Sequence, residues 1–285
     1  MKTLLTICFT ILFNAVSFSQ NPDIVLARVK YSFIHLRDTT QKNNPYTENM
    51  LLVIGRNASI FTSFDKIERD LDLPKAQQAA DSPFKPINQV DVYFFAKENK
   101  LLSRERFMNA YYLVDELPQQ INWKITKDTA SFNGIHCQKA TTTFKGRNWI
   151  VWYAPELPFQ SGPWKLNGLP GLIIQAIDDK KEVQFLFDGI DNLKNENLSP
   201  EQTELAKVYD KSFFYHPEIV LQKDAKTTNR AEFDKVLALY RKDPKGFIAA
   251  ATGTPRNNIY MGTSATGISH NIINNPIELP EKTKN

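Results

Sequence analysis

From Ala27 to Ile190 the chain is broken into short runs in which apolar and polar residues alternate, with turn residues between them. Alternation with period two sends one set of side chains to each face of an extended strand, so a chain dominated by it must build sheet. Ala27 to Ile34 alternates in this way. Asn49 to Ile54 ends at Gly55-Arg56-Asn57, a strand entering a tight turn, and Ser59 to Phe64 pairs back on it as a hairpin. Asp65 with Glu68 three residues on reads as a capping box for a short helix over about 66–72. Leu73 to Pro86 is polar and holds three prolines, which predicts a surface loop. Val90 to Ala96 and Leu101 to Phe107 flank Glu98-Asn99 as another hairpin, and Ala110 to Val114 continues the meander.

The aromatic residues concentrate in the next stretch. Trp123-Lys124-Ile125 leads to a turn at Asn133-Gly134; Ile135 to Phe144 and Asn148 to Tyr153 then flank Lys145-Gly146-Arg147. In the second run Trp149, Val151 and Tyr153 share one face while Ile150 and Trp152 share the other. Apolar residues on both faces predict a strand covered on both sides. In Gly168-Leu169-Pro170-Gly171, proline suits the second position of a type II turn and glycine the positive φ of the third. Gly168, Pro170 and Gly171 are therefore read as turn residues, and Gly171→Val as damaging because a β-branched residue resists positive φ. Lys181 to Ile190 is the last clear strand.

Beyond about residue 195 the texture becomes helical and loop-like. Ser199-Pro200-Glu201-Gln202 starts one helix. Asn229-Arg230-Ala231-Glu232 starts another, with Phe233, Val236, Leu237 and Tyr240 on one face and a stop at Pro244 and Gly246. From Thr252 the chain is rich in Gly, Ser, Thr and Asn. No break in composition divides residues 20–285, so they are read as one domain. The fold class is mainly β: a curved antiparallel sheet or half-barrel with two or three short peripheral helices, or else a flat or sandwich-like sheet.

At the N-terminus Lys2 precedes the apolar run Leu4 to Phe13, and small residues follow at Ser17 and Ser19. This is the pattern of a signal peptide over residues 1–19, cut after Ser19. The run is about half the ~20 residues that a spanning helix needs. Export is therefore expected, to the periplasm or an outer-membrane-associated position, with no transmembrane span in the mature chain. Cys8 leaves with the signal, so Cys137 is the single remaining cysteine and is read as a buried small hydrophobe. The formal net charge is +4, and loss of Lys2 makes it +3; the basic residues are scattered, which argues against a nucleic-acid footprint.

The run Trp152-Tyr153-Ala154-Pro155-Glu156-Leu157-Pro158, then Gly162-Pro163-Trp164-Lys165, then Gly168-Leu169-Pro170-Gly171-Leu172-Ile173, resembles the signature of the GLPGLI family of exported Bacteroidetes proteins. Trp123-Lys124-Ile125, Gly134 to Ala140, Gly146-Arg147-Asn148-Trp149 and the tail Asn275-Pro276-Ile277-Glu278-Leu279 agree with it, whereas residues 72–86 and 245–268 look like extensions. The resemblance implies compartment and class but no activity. The order of strands and turns is also similar to the lipoprotein carriers and RseB-like sensors of bacterial envelopes (LolA/RseB-like half-barrels), which implies a curved sheet with an apolar hollow.

The residues offer no catalytic signature. His35, His136, His216 and His270 lack metal-ligand spacing, so no metal or cofactor is expected, and His136 and Cys137 point to opposite faces of a strand. Asp178-Asp179 sits at a turn and is read as solvated. The candidate binding residues are Trp149, Trp152, Tyr153 and Trp164, as the wall of an apolar hollow, with Arg147, Arg28 or Lys165 meeting an anionic headgroup at its rim. Plain core packing is the competing account of those rings. The leading expectation is a binding or carrier protein for a hydrophobic ligand: a lipid, lipopeptide or peptide. The alternatives are an interaction module that docks on an envelope protein, such as an outer-membrane transporter or secretion system, and, last, a hydrolase.

Overall fold

The computed structural model describes residues 23–67, 87–117, 120–192, 218–221, 225–260 and 273–280. The expected signal peptide, the loop over 73–86 and the helix at Ser199 lie outside them. Twelve strands form one sheet: β2 (Ala27–His35), β3 (Tyr46–Ile54), β4 (Ala58–Ser63), β5 (Asp91–Phe95), β6 (Lys100–Phe107), β7 (Ala110–Glu116), β8 (Lys124–Phe132), β9 (Ile135–Phe144), β10 (Arg147–Ala154), β11 (Leu172–Asp178), β12 (Val183–Asn192) and β14 (Ala225–Asn229). Their order across the sheet is β14-β7-β6-β5-β4-β3-β2-β12-β11-β10-β9-β8. Every pairing is antiparallel except β14 with β7. A separate two-stranded pair joins β1 (Asp23–Ile24) to β13 (Glu218–Ile219).

The sheet bends far around without closing. Leu101 of β6 and Phe144 of β9 stand eight strand positions apart in the order. On a flat sheet eight steps of ~4.8 Å would separate them by about 38 Å. They nevertheless line the same cleft. The architecture is thus mainly β, a curved sheet with an open side and short helices at its margin.

The inner face carries the main core. Phe185 stacks on Phe33 with centroids 4.9 Å apart and meets Phe61 edge-on at 5.7 Å. Leu166 and Leu169, from the connection between β10 and β11, cover this core and are themselves buried. On the second face a smaller core holds Leu51, Val53, Ile60, Tyr93 and Phe95, covered by Val25, Ile67 and Ile219. The strands covered on both sides are therefore β3, β4 and β5, not β10 as the apolar pattern predicts. In β10, Ile150 is 37% exposed and Trp152 is half-buried, packing on Phe132 of β8 at 5.8 Å.

Local chemistry accounts for most element ends. Asn133-Gly134 and Lys145-Gly146 both take positive φ at both positions, the twist that joins antiparallel strands tightly. The turn after β4 is capped by Ser63, whose Oγ accepts the Lys66 N–H at 2.9 Å. Asp65 accepts the side-chain N–H of Asn49 at 2.9 Å, and Glu68, its expected capping-box partner, lies outside the described residues. Helix α1 (Arg230–Lys242) starts where expected, with the Asn229 side chain accepting the Glu232 N–H, and buries Phe233 and Tyr240. Helix α1 stops at Lys242, before Pro244 as expected, but the chain turns helical again at once. Pro244 opens α2 (Pro244–Thr252), and Asp243 caps its first turn at Gly246. Pro is favoured in a first turn because its missing N–H has no partner there. Phe107, Phe233, Tyr240 and Phe247 form a third aromatic cluster, which fastens both helices to the sheet. Sequence alternation missed β14, whose Lys-Thr-Thr run lies half-exposed at the sheet margin.

Cys137 is 2% exposed, and burial, with the nearby Glu156 charge, pushes its thiol up to about 11. Only the thiolate is nucleophilic. The native protein is expected to resist iodoacetamide at pH 8 over hours and to be alkylated fully once unfolded, read by intact mass.

Candidate ligand-binding site

The aromatic residues expected to wall a hollow fill it instead. Trp149 is 1% exposed, donates its indole N–H to Phe144 O at 3.1 Å, and lies 5.9 Å from Trp164 and 6.2 Å from Phe185. Tyr153 is 2% exposed and donates its hydroxyl to Gln138 at 2.8 Å. Trp152 lies on the opposite face from these two. Residues 163–166 form no strand; Trp164 sits in a turn with φ 55° and packs over Phe144 at 5.9 Å.

The turn after it also differs from expectation. Gly168 takes the left-handed φ of 85°, but Gly171 does not. Its N–H donates to Leu169 O at 2.8 Å, a three-residue turn centred on Pro170 rather than a type II turn. Glycine is required at 171 by close approach, since a Cβ there would lie 2.2 Å from Ala154 O.

Arg147, expected at a rim, is 3% exposed. It anchors the segment 273–280, here called the strap. Its Nε donates to Ile277 O at 2.8 Å, Nη2 to Asn275 Oδ1 at 2.6 Å and Pro276 O at 2.7 Å, and Nη1 to Asp178 at 2.7 Å and Glu182 at 3.2 Å. All five guanidinium N–H groups are used. Asp178 is 1% exposed, so it is a buried counter-ion and not a solvated turn residue. Arg28 is buried as well.

His35 adds a fastening of the strap. Its Nε2 lies 2.7 Å from Asn275 O and acts as the donor in the neutral ring. Burial, with Arg37 and Arg147 nearby, lowers its pKa from 6.5 to about 4. The unfolded chain takes up this proton near pH 6.5 and the folded chain only near 4. The contribution is therefore complete above 6.5 and is lost as pH falls from 6.5 to 4, by roughly 3 kcal/mol for one such group. His35→Gln is expected to flatten the pH dependence of the urea midpoint across that window. An unchanged slope would remove His35 from the account.

The open side of the sheet is bridged by ions. Lys165, 5% exposed, donates to Glu116 on β7 at 3.0 Å and to Glu278 of the strap at 2.6 Å. Glu116 also accepts from Ser103 at 2.6 Å and from Arg230 of α1 at 2.5 Å, and Arg230 pairs with Glu105. Burial opposes ionisation of Glu116, but the hydrogen bonds from Arg230 and Ser103 and the charge of Lys165 outweigh it and hold the carboxyl at about 2. Lys145 approaches the other Glu278 oxygen at 3.6 Å.

Beside this bridge lies a small cleft of about 20 Å³. Phe94, Leu101, Leu117 and Phe144 give it apolar surface, and Lys145 and Lys165 give it cations. A second space of about 10 Å³ adjoins it, sharing Phe94 and Asn167 and bounded by Trp164. Of the residues singled out from sequence, Trp164 and Lys165 therefore border this region, while Trp149, Tyr153 and Arg147 support it from within. Glu116 and Glu278 carry no local signal, because they meet Lys165 from 49 and 113 residues away. Among the described residues no three metal-ligating side chains cluster.

No family model and no curated protein matches the chain. Two solved structures of PNGF-II, in C2 and P21 space groups, are similar to it at TM-scores of 0.47 and 0.48, with 13% and 16% sequence identity. Each match covers 74% of this chain and 32% of the PNGF-II chain, so the chain spans about a third of the length of those structures.

Proposed function

We propose that the chain is an exported member of the GLPGLI family that serves in the bacterial envelope, in the periplasm or against the outer membrane, as a non-catalytic binding or carrier protein for a hydrophobic ligand: a lipid, a lipopeptide or a peptide. The observation that carries this reading is the cleft at the open side, where apolar side chains adjoin the amines of Lys145 and Lys165. Native mass spectrometry of residues 20–285, purified from a periplasmic fraction without detergent, tests it. An added mass that is lost on denaturation and matches a lipid or peptide is the expected result. A bare chain that also takes up no added lipid or peptide would overturn it.

A second reading has its own observation. Ile150 is 37% exposed beside the half-buried Trp152 and Phe132 on the outer face, which suits docking on an envelope protein such as an outer-membrane transporter or secretion system. An Ile150→Glu variant that loses a co-purifying envelope protein while keeping its ligand would favour this second role.

A further inference from the structure

We propose that the bed of the strap is a peptide-recognition site. Its ligand is an extended segment of a partner protein that carries asparagine, then proline, and a glutamate three residues after the asparagine. The strap, with Asn275, Pro276 and Glu278, occupies that site in cis. The site is defined by a seated peptide rather than by an empty space, and it does not depend on the hydrophobic-ligand reading above.

The strap is held mainly by side chains and not by strand addition. Residues 273–280 form no strand. Strand addition would draw its affinity from main-chain hydrogen bonds. Here both ends of one carboxamide are read. Asn275, 5% exposed, accepts from Arg147 Nη2 through Oδ1 at 2.6 Å. Its Nδ2 donates to Leu36 O at 2.8 Å and to Glu182 at 3.1 Å. An aspartate there would set a carboxylate oxygen against Leu36 O and Glu182, with no N–H to give. Three residues on, the Glu278 carboxylate meets Lys165 Nζ at 2.6 Å and Lys145 Nζ at 3.6 Å. The backbone between the two is fixed by Arg147, which donates to Pro276 O and Ile277 O, and by His35, which donates to Asn275 O. Gly146 leaves room for the peptide, since a Cβ there would lie 2.5 Å from Leu279 O.

The groups that read the strap are positioned by the sheet. Arg147 Nη1 donates to Asp178 at 2.7 Å and to Glu182 at 3.2 Å, and Asp178 Oδ1 in turn accepts the Glu182 N–H at 2.7 Å. The guanidinium is thereby fixed with Nε and Nη2 aimed at the strap. Such preorganisation reduces the ordering cost of binding. Specificity follows from what a wrong segment leaves behind: without the asparagine, Leu36 O loses its donor and one Arg147 N–H its acceptor, and buried polar groups left unpaired reject the wrong ligand. A segment from another chain must displace the strap, which competes as an intramolecular ligand. Weakening the strap's own asparagine and glutamate therefore opens the site to a peptide in trans.

Fluorescence anisotropy with a labelled peptide of residues 273–280 tests this. The proteins are the full mature chain, Glu278→Gln and Asn275→Ala/Glu278→Gln, the variants checked for a cooperative melt. The peptide is expected to bind the double variant at least about tenfold tighter than the parent, with the single variant in between. If the double variant does not fold, the single variant gives the same comparison. Peptides carrying Asn275→Asp or Glu278→Gln are expected to bind at least about tenfold more weakly than the native peptide. The double variant mixed with the parent is expected to form no mixed dimer in sedimentation; such a dimer would make the occupant the strap of a second copy and overturn the partner assignment. If the peptide binds neither folded variant, or loses nothing on either substitution, the bed holds only its own strap and recognition in trans is ruled out. The hydrophobic-ligand reading, tested by native mass, is untouched by that result.

Discussion

Arg147→Met is expected to lower stability by about 3–5 kcal/mol, the usual consequence of leaving one partner of a buried ion pair alone. Asp178, 1% exposed, would lose its guanidinium partner. Asn275 Oδ1, Pro276 O and Ile277 O would lose their donors together. Measured against a total of about 5–15 kcal/mol for a typical protein, such a loss is severe. It should appear as a large drop in the urea midpoint at unchanged slope. Arg147→Lys is expected to recover less than half of it. An ammonium offers three N–H groups where the site uses five in a planar fork. A variant with methionine that unfolds like the parent would mean that the strap is not held by this residue.

Gly171→Val is expected to have an effect of similar or greater size. A Cβ at 171 would meet Ala154 O at 2.2 Å, Ala154 C at 2.7 Å and Pro155 Cα at 3.0 Å. All three are backbone atoms, so no side chain can swing aside. The end of β10 and the start of the connection must move instead. Overpacking costs about 1–3 kcal/mol where side chains can adjust, and more is expected here. Gly171→Asn separates the two possible reasons for glycine. Asparagine tolerates a left-handed backbone, so a turn requirement would make it mild. Close approach to Ala154 makes it as harmful as alanine or worse. Thermal melting of the alanine, asparagine and valine variants checks the order.

These two sites show what the sequence could and could not carry. Alternation placed β2 to β7, β9, β10 and β12, because it is a local consequence of a buried face; it did not delimit β8, which buries no side chain, or β11. Turn chemistry placed the hairpins at Asn133-Gly134 and Lys145-Gly146 for the same reason. Helix α1 was readable from Asn229 and its apolar face, whereas α2 was hidden behind Pro244, which can stop one helix or start the next. The buried ions were not readable. Arg147 and Lys165 look like surface cations in a linear sequence, because their carboxylates and carbonyls arrive from β7, β11 and the strap. The aromatic cluster looks like a wall in sequence, yet most of it is filling. A tryptophan that touches a ligand and one that touches Phe185 have the same sequence neighbours, and only the bend of the sheet decides between them. Lys145, Arg147 and Lys165 converge with Asn275 to Leu279 on the fastening of the open side.

The docked strap fastens the curved sheet at its open side. Amide hydrogen exchange at Asn275 and Leu279 of the unliganded mature protein tests it most directly. Their N–H groups donate to Arg37 O at 3.1 Å and Lys145 O at 3.0 Å. Exchange slowed by at least a hundredfold relative to an unstructured peptide, and lost in Arg147→Met, is the expected result. Exchange at the unstructured rate in the parent protein would contradict that fastening, and with it the partners assigned to Arg147 and Lys165.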